Sequence, residues 1–220
     1  MSHQPTAAVT LFIGQVKPLP VSGKPTAMYK TQVHGPIALG LEGFEGDQQA
    51  DLRVHGGPEK AVHLYPTRHY AKLAAKFDEA APLLVPGSMG ENIATPDLDE
   101  HDVRLGDVWQ LGSALIQVCQ PRNPCWKIDE RFDADDMALF IDEHLLTGWY
   151  WRVLQPGVVQ ANDTLVLHEV ANNAPTLYQA MTLWRAHPPE AEALAALAET
   201  PGIAKAWQDK IRQRVNYLRK

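Results

Sequence analysis

Gly and Pro cut the first three quarters of this sequence into short β-type runs, and the last quarter has a different character. The clearest runs are VTLFIGQV (Val9–Val16), AVHLYP (Ala61–Pro66), VWQL (Val108–Leu111), ALIQVCQ (Ala114–Gln120), WYWRVL (Trp149–Leu154) and DTLVLHEV (Asp163–Val170). Gly112-Ser113 lies between two of them as a hairpin turn. Many short strands with turn punctuation predict a barrel or a sandwich.

Two helices are expected within this pattern. One runs from about Thr67 to Phe77, with Pro66 at its start, where the missing N–H costs nothing. The other runs from about Ala134 to Leu146, with Asp133 as its N-cap and Asp135 and Asp136 at the positive end of the helix dipole. Met137, Phe140, Ile141 and Leu145 make its apolar stripe, and Gly148 is its stop. After Asn172-Asn173 the segments TLYQAMTLWRAH, PEAEALAALAE and PGIAKAWQDKIRQRVNYLRK read as three helices. Thr176 and Thr200 are their cap candidates, and Pro188, Pro189 and Pro201 mark the breaks. In the last one Ile203, Trp207, Ile211, Val215 and Leu218 share one face. From Ile203 onward six basic residues stand with one acid, Asp209. That charge suits a solvated face or a docking surface for an acidic redox partner. The expected class is mainly β (α+β), with a β-rich domain over 1–172 and a small three-helix domain over 173–220.

At 220 residues the chain is long enough to bury a real core. Its net charge of −6 argues against a general nucleic-acid or acidic-membrane binder. No stretch reaches the roughly 20 apolar residues of a membrane span, and the first dozen residues have no basic region. A soluble, cytoplasmic protein with reduced thiols is therefore expected. Its two cysteines, Cys119 and Cys125, cannot build a disulfide framework; with the nine histidines they could at most join a mixed metal site. No P-loop, G-x-S-x-G elbow or zinc-finger spacing occurs.

Three segments can carry chemistry. The densest is GDQQADLRVHGGPEKAVHLYP, Gly46–Pro66. Gly56-Gly57 allows close approach of backbone to a ligand, and Arg53, His55 and Lys60 bracket it with donors, which suits a phosphate or another oxyanion. The same residues also suit an ordinary turn. Asp47 and Asp51 can orient the basic side chains or cap turns. His63 alternates with Val62 and Leu64 and so points away from their face, toward a barrel mouth or solvent. The second segment, PGSMGENIA, bends at Gly87 and Gly90 and offers Glu91 and Asn92. The third, VCQPRNPCWK, runs a strand into Pro121 and presents Cys125 between Arg122 and Lys127. Cations favour the thiolate, the form that acts as nucleophile or metal ligand. Cys119, within the strand, is expected to pack.

The ordered series GDQQAD…HGGPEKAVHLYP, GEN, RLGDVWQLG, QPRNPC and GWYWRVLQPG resembles the MOSC domain family, named after the C-terminal domain of molybdenum cofactor sulfurase. It most resembles the YiiM branch, which adds a small three-helix domain at the C-terminus. The match runs from about residue 10 to 170. The resemblance implies a β-barrel that binds the molybdenum cofactor, a pterin dithiolene with a phosphate. Cys125 occupies the position of the thiolate that ligates the metal, and soft sulfur suits a metal already held by dithiolene sulfurs. Arg53, His55, Gly56, Gly57, Lys60, Arg122 and Arg152 are then candidates to hold the cofactor, with Asn92 and Glu91 near the pterin or the metal.

By the same resemblance the expected reaction reduces N-hydroxylated compounds, such as hydroxylaminopurine-type base analogues, to amines. His55 and Glu91 are the two candidates for the acid that protonates the leaving oxygen, and with Cys125 they make the expected catalytic set. No flavin or nicotinamide fingerprint is present, so electrons are expected from a separate reductase. No membrane or nucleic acid polymer is expected as a partner, and monomer and homodimer remain open. Two other readings are sulfur transfer through a Cys125 persulfide and a non-catalytic carrier of the cofactor.

Overall fold

The computed structural model describes residues 6–51 and 56–220. Nine strands form its main sheet: β1 (Thr6–Ala8), β2 (Thr10–Gly14), β3 (Lys30–Val33), β4 (Val62–Pro66), β5 (Ile93–Thr95), β6 (Val108–Leu111), β7 (Ala114–Pro121), β8 (Trp149–Gln155) and β9 (Thr164–Glu169). Their order is β1-β9-β6-β7-β8-β4-β5-β2-β3. Every pairing is antiparallel except β4 with β5, which is parallel. The sheet curves into a half-barrel, and six helices complete an α+β fold. The six runs read from the sequence are all strands. Leu111 pairs with Ala114, which leaves Gly112-Ser113 as a two-residue hairpin loop, and Gly112 takes the positive φ of 56° that such a turn demands.

Period-two alternation sets what each face does. In β8 Trp149, Trp151 and Val153 are buried on the core side, where Trp109 packs edge-on against Trp151. Tyr150 and Arg152 therefore project to the other side. In β4 Val62 and Leu64 join that core, and His63 lies opposite them. A second apolar cluster gathers Tyr65, Tyr70, Leu73 and Met89 with the apolar faces of the first three helices. These helices are α1 (Arg68–Lys76), α2 (Lys127–Phe132) and α3 (Met137–Glu143).

Here the structure departs from the sequence reading. The helix expected over Ala134–Leu146 is shorter, and α2 precedes it. Asp133 does not cap α3; it closes α2 with φ 50°, and Asp136 enters α3 with φ 63°. Short polar residues tolerate this left-handed region, so the acidic run serves as a connector. The capping role falls to Asp129, whose Oδ1 accepts the Ala138 N–H at 2.7 Å.

The C-terminal helices are α4 (Leu177–Arg185), α5 (Ala191–Ala198) and α6 (Lys205–Leu218). Thr176 caps α4 through a reciprocal capping box with Gln179. Thr200 does not cap α6; it lies in the turn through Pro201 and Gly202, and the helix begins after Ala204. The Lys205 N–H is met instead by the Glu59 carboxylate, at 2.9 and 3.1 Å. Ile203, Trp207, Ile211 and Val215 are buried as the periodicity requires. They share one apolar cluster with the sheet, so the tail is packed onto the half-barrel. No helix among the described residues is long and apolar enough to cross a membrane.

Candidate functional site

Three strands bring the polar face of the half-barrel to a point. Gln120 of β7 pairs with Tyr150 of β8, and Tyr150 pairs with His63 of β4. The His63 and Tyr150 rings stand 5.3 Å apart. Pro121 ends the ladder, and Arg122 turns in beside this row, anchored by its N–H to the Gly148 carbonyl at 3.0 Å. On the other side Asn92 directly precedes β5, and its Oδ1 accepts the His63 N–H at 3.1 Å.

A cavity of about 80 Å³ opens over the row, lined by His63, Tyr150, Asn92, Asp47 and four cations, Lys30, Lys60, Arg122 and Lys127. Asp47 is the single carboxylate among the described residues of that lining, in a chain whose net charge is −6. It is already committed. Lys30 Nζ lies 2.6 and 2.7 Å from its oxygens, and it also accepts from Gly14 N–H at 2.7 Å and Asn92 Nδ2 at 2.8 Å. Arg122 is only 7% exposed, yet its Nη1 is buried without a hydrogen-bond partner, and no carboxylate among the described residues pairs with it. A buried cation without a counter-ion is costly, and an anion in the cavity would offset that cost.

Burial fixes the protonation of the neutral groups. It holds His63 well below the usual imidazole range, helped by the charge of Arg122, so the ring is neutral at physiological pH. Its Nε2 is buried without a partner. Burial also raises the Tyr150 hydroxyl, against the opposing pull of Arg122, with Cys125 and then Cys119 adding to the rise. The hydroxyl is thus a neutral donor within electrostatic reach of Cys125. Cys125 itself is half-buried, just before α2, between Arg122 and Lys127 in the chain. Its thiol is not sealed in hydrocarbon.

A second cavity of about 160 Å³ lies between the half-barrel and the C-terminal helices. It shares Lys60, Arg122 and Tyr150 with the first, so those three side chains form a common wall.

The residues singled out in the sequence fall into four groups. Lys60, Asn92 and Arg122 line the first cavity; Cys125 lines neither cavity, and its link to them is its electrostatic influence on Tyr150, which lines both. Gly57 takes φ 88°, with none of the described residues within 4 Å of where a Cβ would stand, and its carbonyl accepts the Lys60 N–H at 2.9 Å. Gly56 precedes it as half-buried coil. Glu91 and Arg152 are not brought to either cavity. The Glu91 carboxylate is fully buried, accepting from the Tyr70 hydroxyl and the Gly87 N–H, each at 2.6 Å. Arg152 pairs with Glu59 at 2.8 Å and so ties the turn after the glycines to α6. Arg53 and His55 lie outside the described residues.

Sequence reasoning passed over Lys30 and Tyr150. Tyr150 carried a readable signal, a hydroxyl-bearing ring between two buried tryptophans in a strand, which period two turns away from the core. Lys30 carried none, since its partner Asp47 is 17 residues away.

Cys119 packs as expected. It sits where the register of β7 slips between Val118 and Gln120, and its S–H donates to the Glu59 carbonyl at 3.0 Å. Burial pushes this thiol up to about 12, against the opposing charge of Arg152. At neutral pH a thiol-alkylating reagent should therefore modify one cysteine of the native protein, Cys125, and both after denaturation. Mass spectrometry reads the count; two rapid modifications in the native state would contradict the packing of Cys119.

The basic charge of α6 is mostly spent internally. Lys205 pairs with Asp209, Arg212 with Glu199, and Arg219 with Glu192, while Arg214 stacks on Trp184. Among the described residues, no three His, Cys, Asp or Glu converge as a metal site.

Comparison with known proteins places the family and the fold. The MOSC domain family matches residues 51–166. Protein YiiM of Escherichia coli (strain K12) is 37% identical over 206 residues, covering 94% of this chain and 91% of that protein. A crystal structure of YiiM from Escherichia coli superposes with a TM-score of 0.81 at 30% identity, over 97% of this chain and 94% of that one. A protein of Gibberella moniliformis (strain M3125 / FGSC 7600) named "Reductase" is 33% identical over 168 residues, or 76% of this chain and 30% of that protein.

Proposed function

The chain belongs to the MOSC domain family, and from that premise we propose that it is a molybdenum-cofactor-dependent oxidoreductase reducing N-hydroxylated compounds, including hydroxylaminopurine-type base analogues, to amines. The observation that carries the proposal is the cationic cavity lined by Arg122 and Lys127, which bracket Cys125 in the chain, with the buried and unpartnered Nη1 of Arg122 in its wall. A pterin dithiolene with a phosphate is an anion, and a lining of four cations and one committed carboxylate fits it. Cys125 offers one soft thiolate, which suits a metal whose remaining sulfurs come with the cofactor. Arg122 and Lys127 offer cations to the anionic tail. Among the described residues, Gly57 leaves open space for close approach beside Lys60.

Bound there, the cofactor supplies two-electron redox chemistry at a nitrogen–oxygen bond. The overall reaction consumes an N-hydroxy compound, two electrons and two protons, and releases the amine and water. Electrons come from a separate reductase. Tyr150, neutral and present in both cavity walls, is the donor placed to hydrogen-bond the oxygen that leaves. His63 is neutral and its free Nε2 serves as a second polar contact in the first cavity. The remaining candidates keep the roles the family suggests: His55 and Arg53 in the segment before the glycines.

The experiment uses protein made in a host that synthesises the cofactor. Molybdenum near one per chain, with reduction of an N-hydroxylated purine by a competent reductase and donor, is the expected result. In the same assay Tyr150→Phe should keep its molybdenum and lose about a hundred- to a thousandfold in kcat, the scale of losing one preorganised donor. Loaded protein inert toward N-hydroxylated purines, hydroxamic acids and amidoximes overturns the proposal. A persulfide on Cys125 without metal would establish sulfur transfer in its place.

A further inference from the structure

Building on that reading of the site, we infer that the cleft between the half-barrel and helices α4 and α6 is the substrate pocket, and that it selects planar aromatic compounds carrying an anionic arm. The cleft adjoins the cofactor cavity through Lys60, Arg122 and Tyr150, so a ligand in it reaches the shared wall from the opposite side. Its volume of about 160 Å³ is that of a small aromatic ring's site, since apolar cavities of about 150 Å³ hold benzene.

The two ends of the cleft differ in chemistry. Met181, Trp184 and Trp207 make the apolar end. Trp184 is fixed by Arg214, whose guanidinium stacks 4.9 Å from the ring centroid and also donates to the Trp184 carbonyl. A fixed indole offers a flat surface at small entropic cost. At the other end stand Lys60, Arg122 and Lys210. Lys210 is the lining cation of α6, and it makes no ion pair among the described residues, whereas Lys205, Arg212 and Arg219 of the same segment each have one. Its charge is felt by Lys60, whose ammonium is lowered first by burial and next by Lys210. Lys60, Arg122 and Lys210 together make this end of the cleft positive, which complements an anionic group. The remaining charges of the lining, Asp142 and Arg185, neutralise one another as an ion pair.

The test is calorimetric titration of the full chain, loaded with cofactor, by adenine, adenosine and adenosine 5′-monophosphate. The monophosphate should bind about tenfold or more tightly than the nucleoside. Lys210→Glu, an exposed position, should weaken the monophosphate about tenfold more than the nucleoside and so erase that preference. Trp184→Ala should weaken all three ligands, and Trp184→Phe should restore them. Equal affinity for nucleoside and monophosphate, or a preference that survives Lys210→Glu, overturns the inference. Molybdenum is measured on the same sample. A preference that depends on Lys210 in protein free of molybdenum upholds the pocket while the cofactor reading fails. Loaded, active protein without the preference removes the pocket and leaves the cofactor reading standing.

Discussion

Cys125→Ser should lose molybdenum from about one per chain to near zero, and with it at least about a hundredfold in N-reduction. Removing an outer partner of a metal ligand typically costs about 10- to 100-fold, so removing the ligand sets a larger scale. The physical reason lies in the donor atom. A thiolate is soft and forms near neutral pH when cations stand close by. A serine hydroxyl is hard and stays protonated. Position 125 is half-buried before a short helix, and the substitution removes no buried contact of the apolar clusters. Folding should therefore be unaffected, and the far-ultraviolet spectrum and melting midpoint should match those of the parent. Elemental analysis by mass spectrometry reads the metal. A fully loaded serine variant would sink the assignment of the thiol as ligand. Cys119→Ser serves as the contrast: it disturbs a buried S–H in the β7 bulge and should lower stability without acting on the metal directly.

The fold was largely legible because its signals are local. Period-two alternation across β4 and β8 and the turn at Gly112-Ser113 depend on neighbours in sequence, and they turned out as read. The tail's apolar face was legible for the same reason. What failed were helix starts. Asp133 and Thr200 are residues that favour caps, but the caps of α3 and α6 are supplied from elsewhere, by Asp129 and by Glu59. The second of these lies 146 residues from the N–H it meets, and no window along the sequence reveals such a pairing.

The candidate site divides along the same line. Lys60, Arg122 and Cys125 were found because motif and charge flank them in the chain. Tyr150 and Lys210 come from strands and helices that only the tertiary structure sets beside those motifs. Glu91, chosen from its place in GEN, is drawn inward because two donors, the Tyr70 hydroxyl and the Gly87 N–H, converge on it. A carboxylate with those partners holds the Gly87–Gly90 loop against α1. That loop precedes Asn92, so Glu91 acts on the cavity by fixing where the amide stands. The basic α6 helix shows the opposite case: its charge looked free in sequence and is mostly paired in the fold.

Asp47→Ala should destabilise the protein by about 3–5 kcal/mol at neutral pH, the cost of leaving one member of a buried ion pair alone. Lys30 and Asp47 side chains are each only 4% exposed, and their heavy atoms are 2.6 Å apart. Removing the carboxylate also strands the Gly14 N–H and one N–H of the Asn92 amide, whose nitrogen keeps the Phe12 carbonyl at 3.2 Å. The pH dependence has a definite sign. Burial lowers Lys30 below its ordinary value of 10.5, against the raising effects of Asp47 and Glu91. The folded state therefore binds its proton less tightly than the unfolded chain, and this site opposes folding below the folded value. The opposition fades as pH rises through that value toward 10.5. Without Asp47 the lowering deepens, so recovery of stability should start at a lower pH than in the parent. Urea melts at neutral pH and at about pH 9 to 10 would show the gap between variant and parent narrowing with pH. Lys30→Met with Asp47→Ala should regain part of the loss, because the ammonium is gone, but not all, because two donors still lack an acceptor. A single variant within about 1 kcal/mol of the parent, or a gap that ignores pH, would show that water reaches Lys30 and that the pair does not hold β2, β3 and β5 around the cavity.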